Sequence, residues 1–250
     1  MLRESGVSPR AVTAFDVASH TGPAAWLDSE GYRRGIELAV AHPEVEPDAI
    51  ASMVALPADA TADGCSPATM VAEIQRAARR GWLDVSYDSP AFAGLNKLVA
   101  WALSAGGVEA DYTPFFEVGH GTDYERLDRA FERIGCGYEP VCGGAPHRVE
   151  PREAATALGR VLATLGVPVG DPNTLTTLPA YLSECPDSLR RAFAYTYLNS
   201  RDRAATAPAP ERNSPAFRRA LAAFLTRTVD GTVTILDGAV FVTGIEGRRP

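Results

Sequence analysis

Apolar residues recur on a helical spacing in "GYRRGIELAVAHPE", where Tyr32, Ile36, Leu38 and Ala39 share a face and Pro43 marks the stop. "EPDAIASMVAL" follows, with Pro47 suited to a first helical turn. A turn-rich gap, "PADATADGC", leads into "SPATMVAEIQRAARRGWLDVSYD". There Ser66 can cap, Pro67 can occupy the first turn, and Met70, Ile74 and Ala77 or Ala78 form an apolar stripe. Gly81 ends that helix, and "WLDVSYD" alternates like a short strand. Residues 1–88 therefore predict a mainly helical domain.

The pattern changes at residue 89. "SPAFAGLNKLVAWALSAGG" reads as a long, almost wholly apolar helix closed by Gly106 and Gly107. "YTPFFEVGHG" is strand-like, and "TDYERLDRAFERIGC" is amphipathic, with Thr122 as N-cap and Glu125 at the capping-box position. "GYEPVCGGAPHRVEP" predicts a hairpin around Gly143-Gly144, and "PREAATALGRVLATLGVPVG" another helix. Residues 171–250 repeat the order in shorter form. A loop precedes the helix "LRRAFAYTYLNSRDR", whose small residues Ala192, Thr196 and Ser200 line one side. The Pro-rich gap "RDRAATAPAPERN", a capped helix "SPAFRRALAAFLTRTV" and a hairpin turning at Asp237-Gly238 complete it. The expected fold class is α/β (α+β), with two α-β-α-β repeats at about 89–170 and 171–250 behind an N-terminal domain of residues 1–88.

Composition narrows the function classes. The chain has 250 residues, 46% hydrophobic and 22% charged, and a net charge of −7. It can bury a core, and it is not a uniformly basic nucleic-acid binder. Its charge is uneven: residues 151–250 hold 12 Arg against 9 acids, whereas residues 1–90 hold 7 Arg against 13. Lys97 is the only lysine. No run is long enough to cross a bilayer, and "MLRESGVSPR" lacks the apolar core of a signal peptide, so the expected location is cytoplasmic.

Cys65, Cys136, Cys142 and Cys185 form no CxxC pair. Cys136, Cys142 and His147, with Cys185 as a fourth ligand, offer a zinc clip whose spacing fits no common structural pattern; the reading without metal is preferred. No GxSxG, P-loop or GxGxxG element is present, and His120 with Asp123 lacks a nucleophile partner.

The order helix, turn, capped helix ending in Arg76, Arg79 and Arg80, then strand resembles a winged helix-turn-helix. Residues 90–245 resemble a single-chain LAGLIDADG protein: "LGRVLATLGVPVG", a linker, then "LPAYLSECPDSLRRAFAYTYLNSRD" is similar to that family's passage into its second motif helix. WhiA-type regulators, which pair a non-cleaving domain of this kind with a helix-turn-helix, are the nearest functional analogy. The resemblance implies two closely packed helices, a carboxylate from each helix end holding divalent metal, and flanking sheets whose outward arginines meet DNA phosphates. Aligned on "VAWALSAGG" and "AYTYLNSRD", the acid positions fall on Gly106 and Arg201, neither of which is a carboxylate. The expectation is therefore a double-stranded-DNA-binding protein that has lost cleavage and acts in transcription regulation or another DNA transaction. Arg76, Arg79, Arg80, Arg190, Arg191, Arg201, Arg203, Arg218, Arg219 and Arg227 are its expected phosphate contacts. The alternatives are a Mg-dependent endonuclease with displaced ligands (Asp202 with Glu109 or Asp111) and a protein-interaction or scaffold module.

Overall fold

Three helices begin on the same device. In the computed structural model, which describes residues 30–54, 66–119, 121–141, 147–204, 214–236 and 239–244, Ser66, Ser89 and Ser214 each accept a backbone N–H three residues on, and a proline follows each cap. These caps open α3 (Pro67–Arg79), α4 (Pro90–Ala105) and α8 (Pro215–Thr228), after α1 (Glu30–Ala41) and α2 (Pro47–Met53). The serine satisfies an orphan donor and the proline lacks the donor that would otherwise be orphaned.

Helices α1, α2 and α3 pack on one another, and the expected wing is absent among the described residues. "WLDVSYD" is a turn segment: Trp82, Leu83 and Val85 are buried individually, and the Trp82 indole donates to the Ile134 carbonyl at 2.8 Å. Alternation here records anchoring to neighbouring helices, not pairing to a strand. The buried core is continuous across residue 88.

From α4 the chain passes directly into β1 (Gly106–Val108), then β2 (Pro114–Val118), α5 (Gly121–Arg133), β3 (Tyr138–Val141), β4 (His147–Pro151) and α6 (Ala155–Thr164). The strands form one antiparallel sheet in the order β1-β2-β4-β3. Helix α5 begins at Gly121, so Thr122 lies inside it, and Asp123 turns back to accept the Gly119 N–H. Two 3₁₀ turns, Pro172–Thr174 and Ala180–Ser183, lead to α7 (Asp187–Ala204), and α8 is followed by the antiparallel pair β5 (Thr232–Leu236) and β6 (Ala239–Thr243). Both expected hairpins have their strands paired, while the turns at Gly143-Gly144 and Asp237-Gly238 lie outside the described residues.

The chain is mixed helix and strand, as expected, but its halves are unequal: four strands accompany α4 to α6, and two follow α8 among the described residues. No described helix is long and apolar enough to cross a membrane.

Candidate nucleic-acid interface and helix seam

The helix with the small-residue line, α7, packs against the long apolar helix α4. Asn96 of α4 donates to the Leu189 carbonyl of α7 at 3.0 Å, and eight residues further along α4 Ser104 meets Ser200, Oγ to Oγ, at 2.5 Å. Both contacts advance together along the two helices, so α4 and α7 run in the same direction. The Ser200 hydroxyl also reaches the Thr196 carbonyl at 2.7 Å, and that of Ser104 the Trp101 carbonyl at 3.0 Å. Small hydroxyl residues that turn back onto their own helix let the backbones come close.

At the end of this seam α4 gives way to β1 at Gly106. The register places Gly106 opposite Phe116, and a Cβ built on Gly106 would lie 2.3 Å from the Phe115 carbonyl oxygen. No side chain fits there without moving the sheet. The position to which the resemblance assigns the first acid thus has no room for a carboxylate side chain. On α7, residues 201–204 continue the helix, but the side chains of Arg201, Asp202 and Arg203 lie outside what the structure describes.

The displaced ligands proposed on the first-helix side both have partners of their own. Glu109 sits beyond β1 and pairs with Arg148 at 2.6 Å, and Asp111 accepts the Thr113 N–H within an exposed turn. Glu109 lies four residues past the end of α4, about 13 Å at the usual rise. A cleft of about 310 Å³ does open beside the seam, between Ser104, Gly106, Phe115, Gly170 and Pro172, and the acidic residue lining it is Glu117 of β2. Sequence reasoning missed Glu117, which is marked only by strand alternation.

Two of the zinc-clip residues lie apart. Cys136 precedes β3, whose Tyr138 is opposite Pro151, whereas His147 starts β4 four residues away along the strand, about 13 Å. Zinc donors must lie within about 2.3 Å of one ion, which Cys136 and His147 cannot do together. The buried Cys136 thiol instead points to the Gly137 and Glu153 carbonyls, and burial raises its pKa. Cys142 is outside the described residues, and no group of three or more metal-ligating side chains occurs among those described.

The expected phosphate contacts divide into two kinds. Arg79 donates to the Pro43 carbonyl at 2.7 Å; Arg80 pairs with Glu153 at 3.0 Å and lies over Trp82; Arg190 donates to the Cys185 carbonyl at 2.9 Å and pairs with Asp187. These three make their contacts within the fold. Arg76, Arg191, Arg219 and Arg227 are exposed, and Arg218 is half-buried; they sit on α3, α7 and α8.

The outward sheet face is not the basic saddle that the resemblance implies. Phe115, Glu117, Glu139, Arg148 and Glu150 alternate away from the buried Phe116, Val118 and Val149. Arg148 is bound between Glu109 and Glu150, with Phe115 beneath its guanidinium; burial opposes its charge, but the two carboxylates outweigh that and raise its pKa. Arg152 leans to Glu139 at 4.0 Å. Four carboxylates to two guanidiniums make this face acidic.

A cationic cluster lies elsewhere. Arg126, Arg129 and Arg133 recur at i, i+3 and i+7 along α5, next to Lys97 of α4. Burial first, then the charges of Arg133, Arg129 and Arg126, lowers the Lys97 pKa. The spacing of the arginines was readable in the sequence, but their meeting with the single lysine was not. Against known proteins, a scan of family models finds no match to this chain, and a search of curated proteins finds none either.

Proposed function

We propose that this protein binds duplex DNA without cutting it, as a LAGLIDADG-like domain serving transcription regulation or another DNA transaction. The observation that carries the reading is Gly106: a same-direction helix seam closes at Ser104 and Ser200 and then reaches a position where a Cβ would strike the Phe115 carbonyl. Such a seam keeps the packing role of the paired helices and gives up the first acid. Phosphate contacts come from exposed arginines, so affinity should fall steeply as salt rises.

The test is duplex binding over a salt series with genomic fragments, beside plasmid cleavage with Mg²⁺ or Mn²⁺. Binding that weakens with salt, with the plasmid left intact, supports the reading. Metal-dependent cleavage would restore the endonuclease alternative, and no binding at low salt by folded protein would overturn DNA binding altogether. In that case the acidic sheet face of Glu117, Glu139 and Glu150 favours the interaction-module reading, with a basic protein surface as its partner.

A further inference from the structure

Helix α5 separates its charges by side. Arg126, Arg129 and Arg133 fall on one flank at i, i+3 and i+7, while Asp128 and Glu132 fall on the other, where Asp128 accepts the Tyr138 hydroxyl at 2.6 Å. The apolar face between them, Leu127, Ala130 and Phe131, is buried. The arginine flank is turned toward α4. At Gly94 the two helices all but touch, since a Cβ there would lie 2.7 Å from Ile134 and 2.8 Å from the Ala130 carbonyl. Lys97, one turn beyond Gly94 on the same face, thereby lies within reach of the charges of all three guanidiniums.

Carboxylates border this flank: the buried Asp123 lies 3.9 Å from Arg126, and the exposed Glu125 lies 3.7 Å from Arg129. Four cations held together on two packed helices repel one another, and an anion with several charges relieves that repulsion. Guanidiniums suit phosphate because their paired donors match two of its oxygens. From Arg126 to Arg133 the helix rises about 10 Å, close to three steps along one strand of a duplex. An extended polyanion fits that row better than a single compact anion. The acidic sheet face, carrying Glu117, Glu139 and Glu150, would repel the same strand.

We propose that the flank formed by Arg126, Arg129 and Arg133 of α5 with Lys97 of α4 is the docking face for the phosphate backbone of duplex DNA. This rests on the DNA-binding reading above and moves the footprint away from the arginines of α3, α7 and α8. Arg129 and Arg133 are both exposed, so their exchange for glutamine leaves the core untouched.

The experiment compares the full chain with Arg129→Gln/Arg133→Gln, with Arg129→Lys/Arg133→Lys, and with Arg34→Gln/Arg152→Gln, which changes charge equally at exposed positions elsewhere. Binding of a random-sequence duplex is measured from low to moderate salt, with circular dichroism confirming the fold of each. The α5 glutamine pair should bind roughly tenfold or more weakly at 0.1 M salt and lower the log–log salt slope by about two. The lysine pair should keep the slope, and the Arg34/Arg152 pair should leave it nearly unchanged. An unchanged slope in the α5 pair, or an equal loss in the Arg34/Arg152 pair, overturns the docking face while DNA binding stands. A full chain that binds no duplex overturns both.

Discussion

The Glu73 carboxylate of α3 accepts the Ala157 N–H at 3.0 Å, capping α6 from another part of the chain. Helix α6 needs that help, because Ala154 at its N-cap is left-handed and has no side chain able to cap. Arg80, one residue past the end of α3, pairs with Glu153 beside the same helix start. The N-terminal helices are thus tied to the sheet-bearing part of the chain by charge as well as by packing.

Burial raises the Glu73 pKa, outweighing the opposing Ala157 bond and the charges of Arg76 and Arg160. A raised value means the folded protein holds this proton more tightly than the unfolded chain. Its contribution is fully present below the unfolded glutamate pKa, about 4.3, and is lost as pH rises through the folded value. Glu73→Gln keeps an acceptor without the charge, so it should gain stability relative to wild type between pH 4 and pH 7. Thermal melts of both proteins at the two pH values check this; a difference that does not move with pH would refute it.

Gly106→Asp would place a carboxylate at the position the family resemblance assigns to metal. With the Phe115 carbonyl 2.3 Å from the new Cβ, the sheet must shift, at a cost of about 1–3 kcal/mol, the usual range for overpacking. Gly106→Ala should cost nearly as much, because the clash begins at Cβ. Denaturant midpoints measure both. An alanine variant as stable as wild type would show that the sheet yields and that Gly106 does not exclude an acid.

The seam itself was largely legible. Ala192, Thr196 and Ser200 marked one side of the later helix as a place for close packing, and its partner is the apolar helix after Ser89. The Ser-Pro starts of α3, α4 and α8 were equally plain, because a cap acts within three residues. Properties that depend on register were not legible. The obstruction at Gly106 arises from the chain crossing back at Phe115, and the cationic flank joins α5 to a lysine about thirty residues earlier. The turn at Trp82 misled because alternate burial can come from separate anchors as well as from a strand.

At the seam, Ser200 is 5% exposed and contacts both Ser104 and its own helix. Ser200→Ala removes a hydroxyl from a network with several acceptors and should cost about 1 kcal/mol. Ser200→Leu has no space between the backbones and should cost about 1–3 kcal/mol on top of that. Chemical denaturation ranks the two, and a leucine variant as stable as the alanine one would mean the helices are not closely packed here.

The other end of the seam depends on a buried amide. Asn96 is fully buried, donates to the Leu189 carbonyl at 3.0 Å and accepts the Tyr181 hydroxyl at 2.8 Å. Asn96→Ala strands both partners away from water and should cost about 2–4 kcal/mol, since each abandoned buried group carries its own desolvation penalty. Tyr181→Phe removes the hydroxyl and strands only the amide oxygen, so it should cost less. Combining the two changes leaves only the Leu189 carbonyl without its partner, and the double variant should therefore be more stable than the sum of the single losses predicts. Additive losses in such a double-mutant cycle would show that Asn96 and Tyr181 act separately, and that the hydrogen bond between them adds nothing to stability.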